Sequence, residues 1–215
     1  MKNNFSSMEK TRNLAENALF IVIVIVLAFT PFLGYIPLGF TRATTVHIPV
    51  ILASILLGPK RGALIGSIFG LTSLINNTFA PTVTSFVFSP FYSIGDTHGN
   101  FLSLVICFVP RILVGVVPYY VYQWIKKISK GKEIPALLLS GLSGSLTNTI
   151  LVMNMIYLFF GKSYAAANEK SIETLYNFIL SIICINGIPE AIVAAFITVV
   201  VGKILLKQKR KHSNT

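Results

Sequence analysis

The sequence predicts an all-α fold, an integral membrane protein of six transmembrane helices with both termini cytoplasmic. Three observations predict it. Only 12% of the 215 residues are charged, against about 25% in soluble domains. Mean hydropathy is +0.73, concentrated in apolar runs that approach the roughly 20 residues a helix needs to span a bilayer. Lysine and arginine are gathered in alternate loops. Six helices with short loops use up residues 1–215, so the chain reads as a single transmembrane domain.

The polar segment Met1–Asn13 leads into a first apolar run at about Leu14–Leu33, which stops near Pro31 and Gly34. The run is too long for a cleavable signal peptide, and no clear small-residue cleavage site ends it. Tyr35–Thr45 reads as a loop containing Pro37, Gly39 and Arg42. A short second run at about Val46–Leu57 ends at Gly58-Pro59-Lys60-Arg61-Gly62, a sharp turn, because Pro and Gly punctuate helices. The third run is about Ala63–Ile75. Asn76–Asn100, rich in Thr, Ser, Pro and aromatics, is too interrupted to span as one helix, and long ordered loops are commonly functional. The fourth run, about Phe101–Ile125, is followed by a basic loop. The fifth, about Pro135–Phe160, is followed by the polar loop Gly161–Ser171. The sixth, about Ile172–Leu206, ends in a basic tail.

Orientation follows from the bias of positive charge toward the cytoplasm. One set of alternate segments holds Lys2, Lys10 and Arg12; Lys60 and Arg61; Lys126, Lys127, Lys130 and Lys132; and Lys203, Lys207, Lys209, Arg210 and Lys211. These are fourteen of the eighteen basic residues. The opposite loops hold Arg42, Lys162 and Lys170. A net charge of +11 would suggest nucleic acid in a soluble chain; this placement reads as topology, with membrane lipid and no nucleic acid as partner. Asn76–Asn100 then lies outside. Cys107 and Cys184 fall inside apolar runs and read as small buried hydrophobes rather than a disulfide.

An ionisable side chain within the bilayer costs at least about 2.5–3.5 kcal/mol and is a functional candidate by default. Arg111 and Glu190 are two such residues, at similar depth. They are expected to face each other or a shared polar cavity, either as an ion pair joining two helices or as ligand contacts. Each follows a proline, Pro110 and Pro189, which removes a backbone hydrogen bond and kinks a helix. Thr147, Asn148 and Asn154, with Tyr157 above them, and Asn186 four residues before Glu190, are either interhelical glue or ligand contacts. Phe86, Phe88, Phe91 and Tyr92 form a lid or an interfacial aromatic belt. Gly62, Gly66 and Gly70 recur every four residues and make a flat strip that a helix can approach closely. Ala15 and Ala18 make a second small face. Both faces serve internal packing or partner docking.

Enzyme signatures fail on geometry. Gly161-Lys162-Ser163 lacks the preceding glycine of a phosphate loop, since Ile156 stands there. In Gly141-Leu142-Ser143-Gly144, a serine nucleophile would need a histidine base within about 3 Å, yet Ser143 belongs at the opposite side from His47 and His98. No metal-ligand cluster and no cofactor motif is evident. A proton-coupled secondary transporter using Glu190 remains an alternative, although the halves show no inverted repeat; a ligand-free membrane scaffold is a third reading.

The segments His47–Ala63 and Phe69-Gly70-Leu71-Thr72-Ser73, with Ser85–Phe91 and Phe108–Gly115, resemble the substrate-binding (S) components of energy-coupling factor (ECF) transporters. The likeness covers nearly the whole chain. Among these components the chain is most similar to the pantothenate type, with folate, cobalamin and hydroxymethylpyrimidine types as competitors. The resemblance implies the ECF S-component fold in a bacterial cell membrane. It implies a vitamin captured from outside and delivered through a coupling transmembrane subunit (EcfT-type) driven by two cytoplasmic ATPases. The pocket would lie in the outer halves of the last three helices under the outer loops, which points to Phe88, Arg111, Asn148, Asn154, Tyr157, Asn186 and Glu190. The first three helices would face the coupling subunit. The family's Ala-x-x-x-Ala pair is represented here by Ala15 and Ala18 at spacing three, and the strip Gly62, Gly66, Gly70 is a second docking candidate.

Overall fold

A helix that is apolar on every side must be buried on every side, and the second run forms such a helix at the centre of the molecule. The structure, a computed structural model, describes residues 2–31, 33–38 and 41–213; Gly39 of the predicted first loop lies outside the described residues. The order is α1 (Lys2–Phe29), an antiparallel hairpin β1 (Tyr35–Leu38) and β2 (Thr41–Thr44), α2 (His47–Leu57) and α3 (Pro59–Phe79). A 3₁₀ turn at Ser85–Val87 and a small hairpin, β3 (Ser93–Ile94) with β4 (Thr97–His98), follow. Then come α4 (Phe101–Val114), α5 (Val117–Ile128), α6 (Glu133–Ala167), α7 (Ile172–Ile182), a π-helical turn Ile183–Gly187, and α8 (Ile188–Ser213). Every residue of α2 from His47 through Leu56 is buried. Gly58, at φ 92°, turns the chain directly into α3, a conformation that only glycine adopts without strain.

Among the described residues, four helical segments are long and apolar enough to cross a membrane: Lys10–Phe29, Phe101–Ile128, Glu133–Ala167 and Ile172–Lys211. With 11 residues, α2 rises only about 16 Å. α3 is long enough at 21 residues, but its ends carry Lys60, Arg61, Asn76 and Asn77, which dilute its apolar content.

Several predicted boundaries are corrected. The fourth run is two helices, because Gly115 is pressed against the backbone of Gly62 and Pro118 starts a new helix. The predicted polar loop Gly161–Ser171 is mostly helix: α6 kinks at Phe160 (φ −127°, ψ 17°) and continues to Ala167. It does so because Tyr164 and Ala165 are buried against an apolar cluster that includes Leu175 and Ile179. The sixth run is interrupted by the π turn just before Pro189, while Pro110 sits inside an unbroken α4. The predicted loop Asn76–Asn100 begins later than expected, because α3 runs on to Phe79; the rest is an ordered loop held by side chains: Ser85 Oγ donates to Asn77 Oδ1 at 2.8 Å, Thr78 and Ser89 hydroxyls meet at 2.7 Å, and Ser103 Oγ donates to the Phe86 carbonyl at 2.7 Å.

Two apolar cores result. One packs Phe20, Val24 and Ala28 of α1 around α2, with Phe69, Val114 and Leu137. The other joins Phe86, Ile106, Val152, Ile156 and Leu175. Glycine permits close helix crossings. A Cβ on Gly66 would overlap the Arg111 carbonyl and lie 3.1 Å from Ile112 Cα; one on Gly70 would lie 2.8 Å from the Phe108 ring. A Cβ on Gly141 would lie 2.6 Å from Ala195 Cα, and one on Gly202 2.8 Å from Leu137. The Gly62/Gly66/Gly70 strip therefore packs α3 on α4, the first of the two uses expected for it. Ala15 and Ala18 are exposed on α1, away from the stripe that packs inward.

The basic segments meet at one end of the bundle. Arg61 bonds Glu16 at 3.3 Å, Lys209 Nζ donates to the Leu56 carbonyl at 2.5 Å, and Arg210 pairs with Glu133. Cys107 is buried, with its thiol 3.2 Å from the Gly70 carbonyl; Cys184 is exposed on the π turn, so the expected burial holds for one cysteine only.

Candidate ligand-binding site

Between the two cores lies a polar layer. Along α4 it falls at Arg111, between Ile106 of one core and Val114 of the other; along α6 it falls at Asn148, between Leu137 and Val152. These side chains line a cavity of about 920 Å³ whose walls extend to the loop at Thr82–Thr84 and the end of α6 at Asn168–Lys170. Ligand sites commonly occupy about 300–1,000 Å³ with few polar groups among many apolar ones.

The local sequence explains how Arg111 is held. Pro110 has no N–H, so the carbonyl four residues earlier, that of Ile106, loses its helical partner. Arg111 Nη1 donates to that carbonyl at 2.8 Å. The guanidinium lies 5.6 Å from the Phe69 ring centre and 5.2 Å from that of Phe88, within the range of cation–π attraction. Arg111 is only 6% exposed, and its Nε has no hydrogen-bond partner among the described residues. Asn148, also 6% exposed, leaves its Oδ1 likewise unsatisfied. Buried polar atoms without partners cost about 1–3 kcal/mol each, and both of these residues line the same cavity.

Glu190 lines the same cavity, half-buried, and accepts the Thr44 backbone N–H at 3.0 Å. This bond ties the first hairpin to α8. Among the described residues no ion pair joins Arg111 and Glu190, and both line the cavity. Asn186 reaches the cavity from the π turn, where Gly187 lets Thr149 approach: a Cβ there would be 2.8 Å from the threonine methyl.

Phe88 lines the cavity, but its aromatic neighbours do other work. Phe86 is fully buried, edge-on to Phe160 at 5.9 Å, and Phe91 is 77% exposed. Asn154 and Tyr157 stand apart from the cavity. Asn154 donates to its own helix at the Ile150 carbonyl, 2.7 Å away, and Tyr157 packs edge-on against Tyr176 at 5.1 Å; neither lines the cavity. At about 100° per residue, Asn154 and Tyr157 point away from the face that carries Asn148, Val152 and Ile156. The sequence reading passed over Ser73, Asn77, Thr149 and Lys170, which do line it; the signal for the first two was a polar pair four residues apart on α3. Ser143 donates to the Ser140 carbonyl at 2.9 Å, an ordinary helix back-bond rather than an activated nucleophile.

Comparison with known proteins places this geometry. Residues 12–202 match the family described as ECF transporter, substrate-specific component. The chain is similar to the pantothenic acid transporter PanT of Lactococcus lactis subsp. cremoris (strain MG1363), 37% identical over 202 residues covering 93% of this chain and 96% of that protein. It is also similar to the pantothenate transporter PanT of Leuconostoc mesenteroides subsp. mesenteroides, 29% identical over 209 residues, 93% and 95% of the two chains. Members of this family are transporter subunits, not enzymes, and work with an ECF module. An apolar helical bundle with a ligand-sized polar layer fits that assignment, and the chain belongs to the substrate-specific components of ECF transporters.

Proposed function

We propose that the chain captures pantothenate outside the cell and delivers it through an ECF module made of a coupling transmembrane subunit and two cytoplasmic ATPases. The observation that carries this reading is that buried Arg111 and Asn148 line one cavity and each keeps a polar atom, Nε and Oδ1, with no hydrogen-bond partner among the described residues. Pantothenate offers a carboxylate for the first, hydroxyl and amide donors for the second, and a dimethyl centre for Val152, Met153 and Ile156. The pantothenate transporters at 37% and 29% identity support the choice of vitamin. Thermal-shift screening of the purified chain against a vitamin panel tests it, because a ligand that binds only the folded form raises its stability. A shift with pantothenate and none with folate, cobalamin or hydroxymethylpyrimidine is expected; a shift with one of those instead corrects the vitamin, and no shift with any rejects capture.

In the bilayer the proposal is six crossings with both termini cytoplasmic. The meeting of Arg61, Lys209 and Arg210 at one end supports it. The outward face of α1, with Ala15 and Ala18, is the proposed seat of the coupling subunit. The placement of Glu190 in the cavity favours a second reading, uptake coupled to protons. Uptake by cells lacking the ATPases would support it; uptake lost without them and insensitive to collapse of the proton gradient would exclude it.

A further inference from the structure

The cavity leaves the opposite end of the bundle unexplained, and that end carries a second concentration of polar groups. α8 changes character along one face. Phe196, Val200 and Ile204 are exposed apolar side chains at spacing four, and Lys203, Lys207 and Lys211 continue the same side of the helix, all exposed. From Phe196 to Lys207 the helix rises about 16 Å, close to half of the roughly 30 Å hydrocarbon core of a bilayer. The face therefore passes from the depth of acyl chains to the depth of phosphates.

At the basic end the charges converge rather than scatter. Lys203, Lys207, Arg210 and Lys211 surround Glu133 in a concave pocket of about 360 Å³. Glu133 pairs with Arg210, which fixes that guanidinium, and the Lys203 and Lys207 side chains add positive charge to the pocket wall. The first turn of α6 also ends here, adding the partial positive charge of a helix N-terminus. Ile134, Leu138 and Leu139 in the first turns of α6 are exposed, so the helix that carries Glu133 also offers surface suited to hydrocarbon. Long lysine side chains reach from an apolar helix surface to the headgroup layer, and basic pockets between membrane helices bind anionic lipid headgroups.

We infer that the pocket formed by Glu133, Lys203, Lys207, Arg210 and Lys211 is a binding site for the phosphate of an anionic phospholipid, whose acyl chains lie along Phe196, Val200 and Ile204. The site is separate from the vitamin cavity and does not depend on which vitamin that cavity takes. The headgroup bridges the start of α6 and the end of α8, so bound lipid braces the same helix pair that Arg210 and Glu133 already join.

The test uses the full chain in lipid nanodiscs, either of phosphatidylcholine alone or with phosphatidylglycerol added, followed by native mass spectrometry to count retained lipid. Wild type is expected to keep phosphatidylglycerol in preference to phosphatidylcholine, and Lys203→Gln/Lys207→Gln to hold it about thirtyfold more weakly, at roughly 1 kcal/mol per basic residue near the headgroups. Equal melting temperatures of the two proteins in pure phosphatidylcholine establish that the variant is folded; if they differ, the single variants Lys203→Gln and Lys207→Gln are compared in its place. Equal retention by wild type and variant overturns the inference. Inorganic phosphate is the second arm: if phosphate alone stabilises wild type as much as phosphatidylglycerol does, the pocket reads free phosphate and the lipid assignment falls.

Discussion

Pro110 and Arg111 act as one unit. The proline frees a carbonyl and the next side chain fills it, so one N–H of the guanidinium serves the backbone while its Nε has no partner among the described residues. A lysine has no planar fork and cannot serve both directions at once. Arg111→Lys is expected to lower affinity for an anionic ligand by about 10–100-fold, in keeping with the 1.5–3 kcal/mol of a hydrogen bond to a charged group; titration calorimetry checks it, and unchanged affinity would remove Arg111 from the site. Asn154→Ala and Tyr157→Ala are expected to leave affinity within about twofold, as side chains off the cavity face should. At this scale the sequence was informative where a residue broke the rule of its surroundings: Arg111 and Glu190 stand out because charge is costly in an apolar run. It was less informative where rotation about a helix decides, as for Asn154 and Tyr157, because a polar residue near the right height can still face away.

At the scale of elements, glycine spacing was legible and its purpose was not. Spacing four announces a close approach on α3 but not whose backbone approaches; the structure supplies α4. Gly66→Leu is expected to lower stability by at least about 1–3 kcal/mol, the usual cost of overpacking, measured as a fall in the detergent melting temperature. A variant that melts like wild type but no longer joins the ECF module would return the strip to the docking reading. Boundaries were misread where polar and apolar residues mix. Gly161–Ser171 looked like a loop because Lys162 and Ser163 are conspicuous, while the burial of Tyr164 and Ala165 that sustains the helix is a tertiary effect. The split of the fourth run has a similar cause, since Gly115 ends α4 against a residue more than fifty positions earlier.

For the whole molecule, the alternation of basic loops anticipated which segments would gather together. Arg61–Glu16, Lys209–Leu56 and Arg210–Glu133 join them at one end. The vertical order was out of reach of pattern reading: two apolar cores with a polar layer between them depend on how α4 and α6 are set against each other. The two cysteines report on this packing. A maleimide added to the detergent-purified chain is expected to label Cys184 at least about tenfold faster than Cys107, because exposed thiols react and buried ones are inert; equal rates would mean that the α3–α4 contact opens readily.

That contact has a mechanical consequence. Where Gly62 and Gly66 meet Gly115 and Arg111, backbone lies on backbone, and there are no side-chain rotamers to exchange for a new fit. Sliding one helix along the other would drive whole peptide groups into collision, so α3 and α4 behave as a single stiff plank carrying Arg111 on its edge. Flexing is left to the strapped loop at Thr82–Thr84 and to the π turn on the far wall. Hydrogen–deuterium exchange reads this directly, since protection follows the free energy of local opening: amides of the plank should be among the last to exchange, and those bordering the cavity mouth among the first.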